Sequence, residues 1–294
     1  MRLECVAFCG VFSNVATTTA STRSTLIEAG RPGRGWFRGH RRLALRRWRS
    51  TLRFGTWSGE PERMPADLSI DVGAVSLAVR SWAAPDSSGC SPVVLLPATG
   101  ETAEDWAVVA SALCSSRTVY AVNLRGHGPS DWPGTYSIQL MADDLTSVLN
   151  GAFGTAPVDL VGHSLGGLVA CQVAAVRPEL VRRLVLEEVG LLKPRTADPP
   201  PRPAGILPFD WRVVEQVRPE IDNFDPGWAG VAASIAAPTL VLAGGPRSPI
   251  PQEQIADLVR LLPDGRMVTI DAGHLVHATE PDAFIRQLVS FLDG

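Results

Sequence analysis

Lysine is all but missing from this 294-residue chain: Lys193 stands alone against 26 arginines. That bias has no evident physical function and reflects arginine-rich coding, so arginine density alone marks no nucleic-acid surface. Cysteine is scarce as well. Cys5, Cys9, Cys90, Cys114 and Cys171 are odd in number and show no C-x-x-C spacing. They provide neither a disulfide framework nor a zinc site, and Cys114 and Cys171, in helical patterns, read as small core residues. No apolar run reaches the length of a membrane span. A net charge of -3 argues against a nucleic-acid partner, while 45% hydrophobic and 19% charged residues describe a globular protein with ample core material. The default compartment is the cytoplasm.

Charge is unevenly spread. Residues 1–63 hold twelve arginines but only Glu4, Glu28, Glu60 and Glu62 as acids. A secretory signal would need a longer apolar core than Cys5–Phe12, whereas a transit peptide would fit the Arg/Ser/Thr richness. A basic arm for nucleic acid or anionic membrane is a third reading. Low periodicity and high charge favour the fourth, a disordered extension upstream of a natural start at Met64. The expected organisation is therefore 1–63 as extension and 64–294 as one folded domain.

From Asp67 onward strands and helices alternate. Leu68–Val72 and Val75–Arg80 alternate with period two around Gly73, predicting an antiparallel hairpin. Pro92–Leu96 reads as a strand buried on both faces and Val158–Val161 as a short buried strand, and Thr118–Val122, Arg183–Leu186, Pro238–Ala243 and Arg266–Ile270 read as further strands. Between them lie helical patterns at Ala103–Cys114, Ser137–Asn150, Leu165–Arg177, Gln252–Leu262 and Pro281–Leu292. Repeated βα units predict an α/β fold with a mostly parallel sheet flanked by helices. The Pro-rich stretch at about 190–237 breaks the pattern, with helical pieces near Trp211–Arg218 and Gly227–Ser234. It is expected to form a small cap over the strand ends, where such folds bind ligands.

Gly162-His163-Ser164-Leu165-Gly166 is a G-x-S-x-G run between a predicted strand and a predicted helix. Glycines there let strand and helix approach closely and push the serine hydroxyl outward. The blander reading is a turn whose serine caps the helix.

Two further motifs join it: Leu124-Arg125-Gly126-His127-Gly128-Pro129-Ser130-Asp131, and Asp271-Ala272-Gly273-His274 followed by Leu275-Val276-His277. In order and spacing the chain after Met64 resembles the α/β-hydrolase superfamily, in particular its serine-nucleophile, esterase-like members. The resemblance implies Ser164 as nucleophile and His274 as general base, with His277, His127 and His163 in supporting roles. It implies an oxyanion hole made from the backbone N–H groups of Leu165 and Thr99. Where relatives carry His-Gly this chain has Pro97-Ala98, but the donor is the residue that follows, Thr99. The acid usual after the strand Thr239–Ala243 is missing, since the chain reads Gly244-Gly245-Pro246-Arg247-Ser248 there. Glu188, at the end of the preceding strand, is the substitute the resemblance suggests, ahead of Asp271 and Asp131; a solvated strand end is the plain alternative.

Ser164, His274 and Glu188 would cleave an ester-like bond in a small or medium apolar substrate through an acyl-enzyme, without metal or organic cofactor. Leu207, Phe209, Trp211, Phe224 and Trp228 of the cap are candidates to line an apolar pocket or to anchor the cap. Serine rather than aspartate at the elbow argues against dehalogenase or epoxide-hydrolase chemistry. The alternatives are cleavage of C–C, thioester or amide bonds, and a non-catalytic binding protein on the same fold.

Overall fold

The computed structural model describes residues 65–84, 89–196, 200–223 and 226–294. The basic segment 1–63, with Cys5 and Cys9, lies outside the described residues, as do Pro199 and Phe224.

Eight strands form one sheet: β1 (Ala66–Asp71), β2 (Ser76–Trp82), β3 (Val93–Leu96), β4 (Val119–Val122), β5 (Val158–His163), β6 (Val181–Glu187), β7 (Thr239–Ala243) and β8 (Gly265–Thr269). Their spatial order is β1-β2-β4-β3-β5-β6-β7-β8. β1 and β2 pair antiparallel, in register Leu68 with Val79 and Ile70 with Leu77, and β2 runs antiparallel to β4. From β4 to β8 every pairing is parallel.

The apolar runs explain the arrangement. Every residue of β3, β5 and β7 is buried, as strands covered on both faces require. Side chains alternate between two cores. Val94, Leu96, Leu160, Leu184, Leu186 and Val241 face one cluster, and Val93, Leu95, Val161, Val185, Leu240 and Leu242 face the other.

The first cluster is closed by α2 (Ile138–Phe153), α3 (Leu165–Val176) and α6 (Gln252–Leu261). The second is closed by α1 (Ala107–Leu113), which follows a 3-10 turn at Ala103–Trp106, and by α8 (Pro281–Asp293). Local signals set the starts. Ser137 caps α2 through Leu140 N–H at 3.0 Å, and Thr102 with Asp105 forms a capping box at the turn before α1.

Between β6 and β7 lie α4 (Arg212–Asp222) and α5 (Trp228–Ser234). α4 docks on the segment that precedes α2: Gln216 accepts from Tyr136 N–H at 2.8 Å and Glu220 from Ile138 N–H at 3.1 Å. It runs on through Pro219 instead of stopping at Arg218, because these contacts and the Arg218–Asp222 pair at 2.6 Å hold its last turn. α5 packs beside α3 and α6, so this piece joins the layer flanking the sheet. Among the described residues no helix is long and apolar enough to cross a membrane.

Candidate active site

Parallel register brings the carboxyl ends of neighbouring strands to one edge. Leu96 pairs with Gly162, His163 with Glu187, and Glu187 with Leu242. Thr99, Ser164, Glu188, Gly244 and His274 all follow shortly after those ends or after β8.

Ser164 lies between β5 and α3 with φ 48°. The approach around it is close. A Cβ on Gly162 would stand 2.5 Å from the Gly166 carbonyl oxygen, and one on Gly166 would stand 2.5 Å from that of Leu96. Only glycine fits where β5, α3 and the end of β3 meet. The serine occupies the N-cap position of α3, yet its side chain makes no capping hydrogen bond. The turn-and-cap reading therefore fails, and the hydroxyl is left for other use.

Glu188, with φ 55°, is the other non-glycine residue of positive φ among the described residues. Such backbone costs of order 1–3 kcal/mol and gathers at functional sites. Its side chain is wholly buried and satisfied on both oxygens. Oε1 accepts from Gly244 N–H at 2.5 Å, while Oε2 faces His274 Nδ1 at 3.1 Å and accepts the Ser248 hydroxyl. Asp271 is instead exposed and paired with Arg247 at 2.9 Å, and Asp131 accepts from Ser76 N–H at 2.8 Å. Neither meets His274. Gly244 presses on the Gly273 carbonyl, so the loop after β7 has no room there for a side chain.

His274 is one-quarter exposed, whereas His277 is buried. His277 Nδ1 lies 2.8 and 2.9 Å from the two oxygens of Glu187, and its ring stacks on Trp106 at 4.2 Å. Of the two histidines, His274 alone has access to a ligand. His127 is buried between the Arg125 carbonyl, 3.1 Å from Nδ1, and the Phe209 ring at 5.6 Å. Burial pulls its pKa down to about 4, so it is neutral at physiological pH.

The serine's neighbour, His163, packs 4.8 Å from the His274 ring. Its Nδ1 lies 2.9 Å from Glu101 Oε2 and its Nε2 lies 2.9 Å from the His274 carbonyl oxygen. Glu101 was not marked by any motif. Its carboxylate also accepts the Ala98 N–H at 2.8 Å, which fixes the loop after β3. Burial raises the Glu101 pKa, but the His163 charge and hydrogen bond outweigh it and bring the value to about 2. His163, Glu187 and His277 have ligand atoms within 4.8 Å of one another. Their hydrogen bonds to Glu101, to the His274 carbonyl and within the Glu187–His277 pair already account for the grouping.

The N–H groups of Thr99 and Leu165 have no hydrogen-bond partner among the described residues. Leu165 opens α3, where N–H groups lack partners within the helix. Phe209 reaches this loop, since a Cβ on Gly100 would stand 3.2 Å from its ring. With Trp132, Leu207 and Trp211 it lines a cavity of about 470 Å³. Trp228 faces a different cavity of about 500 Å³, near α2 and α5.

A family model described as the alpha/beta hydrolase fold matches residues 91–212. An sn-1-specific diacylglycerol lipase of Danio rerio is 28% identical over 255 residues, which cover 70% of this chain and 80% of the lipase. An esterase of Mycobacterium tuberculosis is 39% identical over 129 residues, covering 43% of this chain and 40% of the esterase. The enol-lactonase of Burkholderia xenovorans superposes with a TM-score of 0.67 at 21% identity, over 77% of this chain and all of the lactonase.

Proposed function

The chain belongs to the α/β-hydrolase superfamily, and from that premise we propose that it is a serine hydrolase of ester-like bonds acting through Ser164, His274 and Glu188. One observation carries the reading. A serine held at strained φ, with its hydroxyl unspent on capping, shares a sheet edge with a histidine bound to a buried carboxylate.

In the proposed reaction Ser164 Oγ attacks the acyl carbon while His274 Nε2 takes the hydroxyl proton. Glu188 at Nδ1 keeps the imidazole in the tautomer that leaves Nε2 free to accept, and balances the imidazolium once it forms. The carbonyl oxygen, now an oxyanion, is met by the Leu165 and Thr99 N–H groups. The bond to the leaving alcohol breaks, and His274 hands it the proton. Water then adds to the acyl-enzyme with His274 as base, the ester to Ser164 breaks, and the proton returns to Oγ as the acid departs. No step draws on a cofactor.

The cavity of about 470 Å³ has an apolar wall of Leu207, Phe209 and Trp211 and a charged one of Arg202, Asp210, Arg212 and Glu215, and the small or medium apolar ester remains the substrate class that the esterase-like resemblance supports. The esterase and lipase named above support the same bond class. The test is a panel of esters varied in acyl chain and leaving group, with Ser164→Ala as blank. Turnover by the wild type that is lost in the blank is expected; equal rates in both would refute the reading.

A further inference from the structure

His163 takes no part in the chemistry proposed above, and its side chain is fully buried. Both ring nitrogens face groups that can only accept: the Glu101 carboxylate at 2.9 Å and the His274 carbonyl oxygen at 2.9 Å. A neutral imidazole carries one N–H and satisfies one of them; an imidazolium satisfies both.

The charges around the ring point the same way. Glu101 faces it from the loop after β3, and Glu187 and Glu188 from the end of β6. The rings of His274 and His277, from the segment after β8, lie 4.8 and 5.3 Å away. Burial by itself would lower the His163 pKa. The charges of Glu101 and Glu187, the Glu101 hydrogen bond and the charge of Glu188 outweigh it and raise the value to about 9.

We propose that His163 is a positioning residue held as an imidazolium, whose two N–H groups clamp the oxyanion loop and the base-bearing loop around Ser164. One grip runs through Glu101 to Ala98 N–H, the residue before Thr99. The other runs to the backbone of His274 itself. Loss of the proton releases one grip, so turnover falls while the substrate cavity is unchanged. The kinetic consequence rests on the serine-hydrolase reading; the protonation state does not.

The experiment uses the full chain with ¹⁵N-labelled histidine. At neutral pH, ring ¹⁵N–¹H spectra should show two protonated nitrogens on His163, assigned by the response of its signals to Glu101→Gln. That substitution keeps an acceptor for Ala98 N–H and removes the charge. In parallel, kcat and KM for an active ester are followed from neutral to alkaline pH. Wild-type kcat should fall through the His163 midpoint to a lower plateau, with KM little changed. In Glu101→Gln both the NMR midpoint and the kcat limb should move together to lower pH. In His163→Gln the limb should vanish, leaving a lower kcat that is flat with pH. If that variant does not fold, the Glu101→Gln comparison decides alone. A single protonated nitrogen at neutral pH, or a limb that Glu101→Gln does not move, would overturn the proposal. Failure of the hydrolase reading would register separately, as turnover that survives Ser164→Ala.

Discussion

Replacing Gly166 by alanine puts a methyl group where β3 gives way to the oxyanion loop. The new Cβ would stand 2.5 Å from the Leu96 carbonyl oxygen and 2.6 Å from that of Pro97. Ordinary contact begins near 3.4 Å, so the two segments must separate by about 0.9 Å. Both obstacles are backbone and cannot rotate away. Either α3 shifts, carrying Ser164 and the Leu165 N–H, or the strand end shifts, carrying Thr99. A misplacement of about 1 Å at a reacting centre costs on the order of 10²-fold in rate, and overpacking costs about 1–3 kcal/mol of stability. The assay is kcat for an activated ester, with a denaturant titration on the same samples. Gly151→Ala is the control, for its Cβ would meet nothing within 4 Å on an exposed turn of α2. It should leave kcat alone and add about 0.5–1 kcal/mol of stability. A folded Gly166→Ala variant with wild-type kcat would refute the reasoning that this close approach sets the oxyanion geometry.

Three other outcomes are expected. Glu188→Gln turns an amide N–H towards His274 Nδ1 and so favours the wrong tautomer; kcat should drop by about 10⁴, with circular dichroism unchanged, and wild-type rates would remove Glu188 from the mechanism. Asp144→Ala strands the buried Arg125 guanidinium, now bonded twice at 2.6 Å, and should cost about 3–5 kcal/mol in urea unfolding; a loss no larger than that of a surface substitution would contradict this. Because the folded pKa of His163 is raised from 6.5 to about 9, its contribution to stability is complete below 6.5 and is lost as pH rises through 9. Glu101→Gln should flatten that alkaline decline in denaturation midpoint; an equal decline in both proteins would refute it.

Much of the fold was legible because its signals are local. The apolar runs of β3, β5 and β7 have no other stable place than a sheet covered on both faces, and glycines at 162 and 166 announce the close approach of β5, α3 and the end of β3. What escaped depends on tertiary contact. A proline normally ends a helix, but α4 continues past Pro219 because Glu220 is engaged by Ile138 and Asp222 by Arg195, both from outside the helix. The short helix α7 (Val276–Thr279) was not anticipated; Val276 and His277 are both buried and the latter is pinned by Glu187. Glu101 and Ser248 carry no motif. Their partners, His163 and Glu188, lie 62 and 60 residues away, and only the parallel register of the sheet brings them together.

The central claim is that Ser164 is an activated nucleophile, and covalent trapping tests it most directly. The wild-type chain, His274→Ala and Ser164→Ala are each incubated with a fluorophosphonate, digested and mapped by mass spectrometry. The account predicts a stoichiometric phosphonyl adduct on the peptide holding Ser164, formed far more slowly in His274→Ala and absent in Ser164→Ala. A folded wild-type protein that hydrolyses esters yet carries its adduct elsewhere, or none at all, would contradict it.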